Sequence, residues 1–127
     1  MTDTWVFLIR EPDWDSDSFL PENMGGRARQ DVSGQMAAHA RFQDAVAELD
    51  AKIVDGKALQ NSKYGGWVTV GKDGADPVWT DAPFADSSEV ITGFYAVECD
   101  EESARRIAAL VPSNHVVEWR KVMNFGD

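Results

Sequence analysis

His39 and Asp81 are the residues of this 127-residue chain whose types and settings best fit proton chemistry. His39 sits in Ala37-Ala38-His39-Ala40-Arg41-Phe42, inside a helical pattern. Asp81 opens Asp81-Ala82-Pro83-Phe84-Ala85-Asp86, an acidic turn that precedes the aromatic run Gly93-Phe94-Tyr95. An imidazole with an ordinary pKa near ~6.5 exchanges a proton at neutral pH. A carboxylate on its other nitrogen fixes the tautomer and stabilises the charged form. If the two segments meet in the fold, His39 is a general base and Asp81 its orienting partner. Two structural alternatives stand beside that reading. A buried histidine is equally well satisfied by a backbone carbonyl. An aspartate before a turn commonly bonds to backbone N–H groups of that turn. Phe84 and Phe94 read as core or as the aromatic walls of a small-molecule pocket. Arg120 alternates with Trp119 and reads either as an anion contact or, by preference, as a solvated partner for nearby acids.

The elements that must position these residues follow from periodicity. Val32, Met36, His39, Phe42, Val46 and Leu49 recur at steps of three or four and line one helix face. The helix is expected to follow Asp31 as N-cap and to run to about Asp50. His39 lies on the apolar stripe and so points toward a sheet. Trp5 to Ile9 is apolar on both faces and reads as a buried strand. Ile53 to Leu59 reads as a strand broken at Asp55-Gly56. Trp67 to Val70, the turn Gly71-Lys72-Asp73-Gly74 and Val78-Trp79-Thr80 read as a hairpin. Ile91 to Cys99 is the clearest strand. Asp100 then caps a second helix with Glu101 and Glu102 in its first turn. Ala104, Ile107, Ala108 and Val111 form its stripe, and Pro112 stops it. His115 to Val122 is the last strand. Glu11 to Gln30 reads as a long acidic loop, and its Trp14 and Phe19 make it a candidate lid over a pocket mouth.

This order predicts an α+β domain: an antiparallel sheet with both helices on one face. Both faces of the first strand are apolar, so the other sheet face needs cover as well. A second copy packing sheet to sheet supplies it, and a homodimer is expected.

Composition narrows the function. At 127 residues the chain is one domain, 1–127, long enough to bury a core. Its net charge of −10, from 22 acids against 12 bases, disfavours nucleic acid and anionic membranes as partners. No apolar run approaches the ~18 residues of a membrane helix. The N-terminus lacks the pattern of a signal peptide. The single cysteine, Cys99, fits a reducing, cytoplasmic setting.

Metal sites are not expected. Asp13-Trp14-Asp15-Ser16-Asp17 starts like a calcium loop but has Ser18 where glycine should stand and Met24 where a bidentate glutamate should stand. His39 and His115 lack zinc-ligand spacing. Gly65-Gly66 lacks the strand-to-helix context of a phosphate loop and reads as a bend or bulge. No cofactor is expected.

Five segments in order carry a family resemblance. They are Ala38-His39-Ala40-Arg41-Phe42, Gly56-Lys57-Ala58-Leu59, Thr80 to Ala85, Thr92-Gly93-Phe94-Tyr95-Ala96-Val97-Glu98 and Val117-Glu118-Trp119-Arg120. Together they resemble the YCII-related, or DGPF-domain, family over most of the chain beyond the Glu11–Gln30 loop. The resemblance implies a ferredoxin-like fold that dimerises through its sheets into an α+β barrel. It also implies a site near the helix histidine and the signature aspartate, here His39 and Asp81. Most members have no assigned reaction. Some relatives act in the breakdown of chlorinated aromatic compounds, and others accompany alternative sigma factors. The chain departs from the pattern at Ala82, where the signature has glycine. It also departs at Ala85-Asp86-Ser87-Ser88, where a lysine is lost, and at Lys57, where glutamate is common.

Two functions follow. One is a cofactor-free enzyme that moves a proton on a small hydrophobic acid or carbonyl compound, using His39 and Asp81. The other is a non-catalytic dimer that binds a ligand or a protein, for example as an accessory to a transcription regulator. Its acidic surface would steer a basic partner.

Overall fold

The structure, a computed structural model, describes residues 2–12, 26–60, 64–81, 90–113 and 115–126, with only the backbone described over 26–33 and at Asp81. The order is β1 (Asp3–Glu11), α1 (Gly26–Glu48), β2 (Lys52–Ala58), β3 (Gly66–Thr69), β4 (Val78–Asp81), β5 (Val90–Cys99), α2 (Glu101–Leu110) and β6 (Val116–Lys121). Four strands form one antiparallel sheet in the order β2-β5-β1-β6. With the two helices this gives an α+β domain compatible with a ferredoxin-like fold.

Alternation along β1 sorts the core. Trp5, Phe7 and Ile9 are buried, whereas Val6 and Leu8 are half-buried on the opposite face. The buried set meets Phe42 and Val46 of α1, Val97 and Cys99 of β5, and Ala104 and Ile107 of α2, with Val111 just beyond. All of these β1 and β5 residues belong to one side of the sheet, so both helices cover that side. The other side carries Val6, Leu8, Phe94 and Ala96 in the central strands. Glu118 flanks them on β6, bonding Arg10 at 2.9 Å and Arg120 at 3.3 Å.

Local chemistry explains the second helix. The carboxylate of Asp100 accepts from the Ser103 N–H at 2.7 Å, and Val111 ends the helix in extended geometry just before Pro112. The hairpin forms at its expected turn, with Asp73 and Gly74 both at positive φ and Val68 opposite Trp79. It forms a separate two-stranded sheet.

Three local expectations need correction. First, α1 begins at Gly26, so Asp31 lies within the helix and is not its N-cap. The loop is correspondingly shorter than 11–30, since Glu11 ends β1 and residues 26–30 are helical. Gly25-Gly26 read as a breaker, but Arg27, Ala28, Arg29 and Gln30 are good helix formers and extend the helix past it. Second, Met36 is 62% exposed and does not join the buried stripe. Third, Asp55-Gly56 does not break β2. The strand runs through, with a register shift between Ile53 and Asp55 that absorbs one residue. The calcium-like segment 13–24 and the aromatic lid residues Trp14 and Phe19 lie outside the described residues.

Candidate functional site

His39 faces the sheet from the middle of α1. Its Nδ1 lies 2.5 Å from the phenol oxygen of Tyr95, on the helix-covered side of β5. The two rings are tilted, with centroids 5.7 Å apart. Phe42, one helical turn further on, packs its ring on the other part of Tyr95 at 4.7 Å. Tyr95 is thus held between a polar and an apolar neighbour of the same helix face.

Space for that phenol comes from β2. Gly56 pairs with Tyr95, and a Cβ at Gly56 would stand 2.8 Å from Tyr95 Cδ1. Glycine lets the ring lie across the neighbouring strand and reach His39. At Gly93 the close approach is to backbone: a Cβ there would meet the Lys57 carbonyl oxygen at 2.8 Å.

A carboxylate stands on the same side. Glu11 ends β1, two residues after buried Ile9, and its Oε1 accepts from the hydroxyl of buried Thr92 at 3.2 Å. Burial lowers the pKa of His39, and the negative charge of Glu11 opposes that shift. Burial also raises the pKa of Tyr95. At neutral pH the bonded pair is therefore imidazole and phenol, both uncharged. Among the described residues the second ring nitrogen, Nε2, has no hydrogen-bond partner. It is the position from which this ring could exchange a proton. Among the described residues no group of three His, Cys, Asp or Glu side chains is placed to hold a metal ion.

The residues singled out from the sequence fall in different places. His39 points toward the sheet as its helical position predicted. Asp81 ends β4 and pairs through its backbone with Gly66, but its side chain lies outside the described residues, as does Phe84. Phe94 and Arg120 do not share a face with His39. Phe94 alternates with Tyr95 and pairs with Leu8, so it belongs to the sheet face opposite the described helices. Arg120 pairs with Val6 on that face and bonds Glu118 at 3.3 Å, the solvated ion pair preferred for it. Phe94 therefore lies on the face of β5 opposite Tyr95 and His39.

Tyr95, its register partner Gly56 and Glu11, whose charge acts on His39, were not singled out as site residues from the sequence. Tyr95 had one available signal: it and Val97 share strand parity, so whichever residue faces the helix, the other does too. No helix of the described residues is long and apolar enough to cross a membrane. Compared with models of known protein families and with curated proteins, the chain matches none.

Proposed function

We propose that this chain is a small homodimeric protein of the YCII-related kind in which His39 moves a proton on a small hydrophobic acid or carbonyl compound, without a cofactor. The observation that carries this reading is the 2.5 Å contact between His39 Nδ1 and the Tyr95 phenol on a half-buried face. In this reading Nδ1–H donates to the Tyr95 oxygen, which leaves the Nε2 lone pair as the base. The same bond survives when Nε2 takes a proton, so the tautomer and ring orientation stay fixed through the cycle. A lowered His39 pKa keeps the ring in its basic form at neutral pH. Asp81 remains the sequence-derived candidate for a second orienting group. The dimer is supported by the sheet face opposite the described helices, where Val6, Leu8 and Phe94 are half-buried in the two central strands inside a charged border.

The test is proton exchange into small ketones and hydrophobic acids in deuterated water, followed by NMR. Wild-type protein is expected to exchange the proton next to the carbonyl of at least one compound. His39→Gln should lose roughly 100-fold or more of that rate, the usual worth of a positioned base. An undiminished rate in His39→Gln rejects the reading, and the matching Asp81→Asn measurement decides whether that residue takes part.

One observation favours the binding module instead. The β3–β4 hairpin exposes Trp79 at 76%, Val70 at 77% and Val78 at 60%. Exposed aromatic and β-branched side chains on a short ribbon are a common form of contact surface. Ligand binding without any exchange would move the assignment to that reading.

A further inference from the structure

The four-stranded sheet ends in two edges of different character. β2, at one edge, is blunted. Its ladder slips between Ile53 and Asp55, and the Asp55 carboxylate accepts from the Gly56 N–H at 2.8 Å and from Lys57 Nζ at 2.9 Å. A bulge and charged side chains on an edge keep other strands off it. β6, at the other edge, holds one register against β1 from Val116 to Lys121 without a slip. Among the described residues no strand pairs with its outer side.

The ladder fixes which backbone groups that side offers. The Val122 N–H donates to the Thr4 carbonyl at 2.8 Å. Hydrogen-bonded pairs alternate along an antiparallel ladder, so Arg120, Glu118 and Val116 also turn their backbone groups to β1. Val117, Trp119 and Lys121 turn theirs outward. The side chains of these three share the face of Phe7, and that of Trp119 is exposed. Glu118 and Arg120 project on the opposite face, with Val116 and Val122, both exposed, on either side of them.

We propose that this edge pairs with the same edge of a second copy of the chain, antiparallel and centred on Trp119, joining two sheets into one. In that register the segment is complementary to itself. Val116 stands opposite Val122 of the second copy, Val117 opposite Lys121, Glu118 opposite Arg120, and Trp119 opposite Trp119. The outward backbone groups of Val117, Trp119 and Lys121 all meet in hydrogen-bonded pairs. The Glu118–Arg120 pairs then fall at the non-hydrogen-bonded sites, where side chains approach most closely. Arg120 already bonds Glu118 of its own strand at 3.3 Å, and pairing gives it a second carboxylate. A register centred on Glu118 would oppose two glutamates, and one centred on Arg120 two arginines. Like charges directly opposite are destabilising.

Charge also favours this edge over the rest of the surface. The net charge of −10 repels a second copy, but β6 carries Arg120 and Lys121 against Glu118 alone. The contact is two-fold symmetric and so closes at two copies. It runs along the edge and leaves the Leu8 face free, so it goes beyond the sheet-face homodimer and does not require it. One ribbon is smaller than a standard interface of roughly 1,600 Å², so pairing is expected at roughly 0.1–1 mM rather than at micromolar concentration.

The experiment is amide hydrogen exchange of the full chain, followed by NMR from micromolar to millimolar concentration. In wild type the N–H groups of Val117, Trp119 and Lys121 should slow several-fold as concentration rises. Those of Glu118 and Arg120, already bonded to β1, should change little. A sheet-face dimer alone would not slow the outward amides, so the two contacts are read separately. Arg120→Glu and Glu118→Arg should each lose the effect, and an equimolar mixture of the two should regain it, because every cross-strand pair is then opposite in charge. Outward amides that do not respond to concentration overturn the proposal. That holds whether they exchange freely or are protected throughout, since constant protection means that another segment of the chain covers the edge. A mixture that regains nothing overturns it as well. If Glu118→Arg does not fold beside Arg10, the exposed Arg120→Glu decides alone, and an undiminished effect in it overturns the register.

Discussion

Gly56 and Tyr95 are register partners whose side chains cannot both exist: the Tyr95 ring occupies the space a Gly56 Cβ would need, at 2.8 Å from Cδ1 and 3.1 Å from Cε1. The ring reaches His39 because its neighbouring strand has no side chain at that position. Gly56→Ala must push the phenol away from Nδ1. Overpacking of this kind costs about 1–3 kcal/mol. Gly34, in α1, has nothing within 4 Å of its Cβ position, so Gly34→Ala should instead stabilise by about 0.5–1 kcal/mol. Urea unfolding of both variants checks the opposite signs. A Gly56→Ala protein as stable as wild type would show that the phenol is not confined there.

The same pair gives the protein a pH signature. Burial is the main cause that lowers the His39 pKa from 6.5, so below 6.5 the unfolded chain binds more protons at this group than the folded chain. Stability should rise with pH through that window and level off above it. Burial raises the Tyr95 pKa from 10.0, so above 10.0 the folded chain holds the proton longer and stability should fall as pH rises. His39→Gln should lose the acid-side slope and Tyr95→Phe the alkaline one. Urea unfolding across pH reads both, and variant curves parallel to wild type would contradict the assignment.

Much of the frame was legible in sequence because each element carries a local signal. β1 and β5 are dense in β-branched and aromatic residues. Asp100 with two following glutamates marks the start of α2. Gly71 to Gly74 marks the hairpin turn. The start of α1 was not legible, because Gly25-Gly26 is a breaker signal that the helix formers Arg27, Ala28, Arg29 and Gln30 outweigh. The site was half legible. The helix stripe aims His39 at the sheet, but which residue meets it depends on strand register. That register is set by two bulges, one near Val54 and one at Thr92, that no local pattern announces. Parity alone separates Tyr95 from Phe94.

Asp100 offers a test of the helix that closes the core. Its carboxylate accepts from the Ser103 N–H at 2.7 Å, and bonds from the backbone and side chain of Ser103 hold its pKa below 3.8 against a small opposing effect of burial. A depressed carboxylate contributes stability above 3.8 and loses it as pH falls through the folded value. Asp100→Asn keeps an acceptor at the cap and should remove this acid sensitivity. Asp100→Ala removes the acceptor and should lower stability at neutral pH too, since the N–H is left without its cap. Thermal unfolding at neutral and acid pH separates the two variants. Equal behaviour of both would mean that the cap contributes nothing.

Phe7 and Leu8 are neighbours in β1 with opposite fates, and together they test the homodimer. Phe7 is fully buried among both helices, at 0% exposure. Phe7→Ala should cost about 3–5 kcal/mol, because a large cavity opens where the sheet meets its cover. Leu8 pairs with Phe94 on the sheet face opposite the described helices and is only half-buried within one subunit. Leu8→Asp gives up the packing that half-buries Leu8 inside that subunit, a smaller loss than Phe7→Ala because Leu8 is outside the fully buried set. In a sheet-to-sheet dimer it would place a carboxylate in an apolar interface, where desolvation of the charge is costly. Sedimentation should therefore show a wild-type dimer and a folded Leu8→Asp monomer, with stability lowered by the lost association. Phe7→Ala should lose stability at every protein concentration. A wild-type monomer at micromolar concentration, or a Leu8→Asp protein that still dimerises, would rule out this face as the interface.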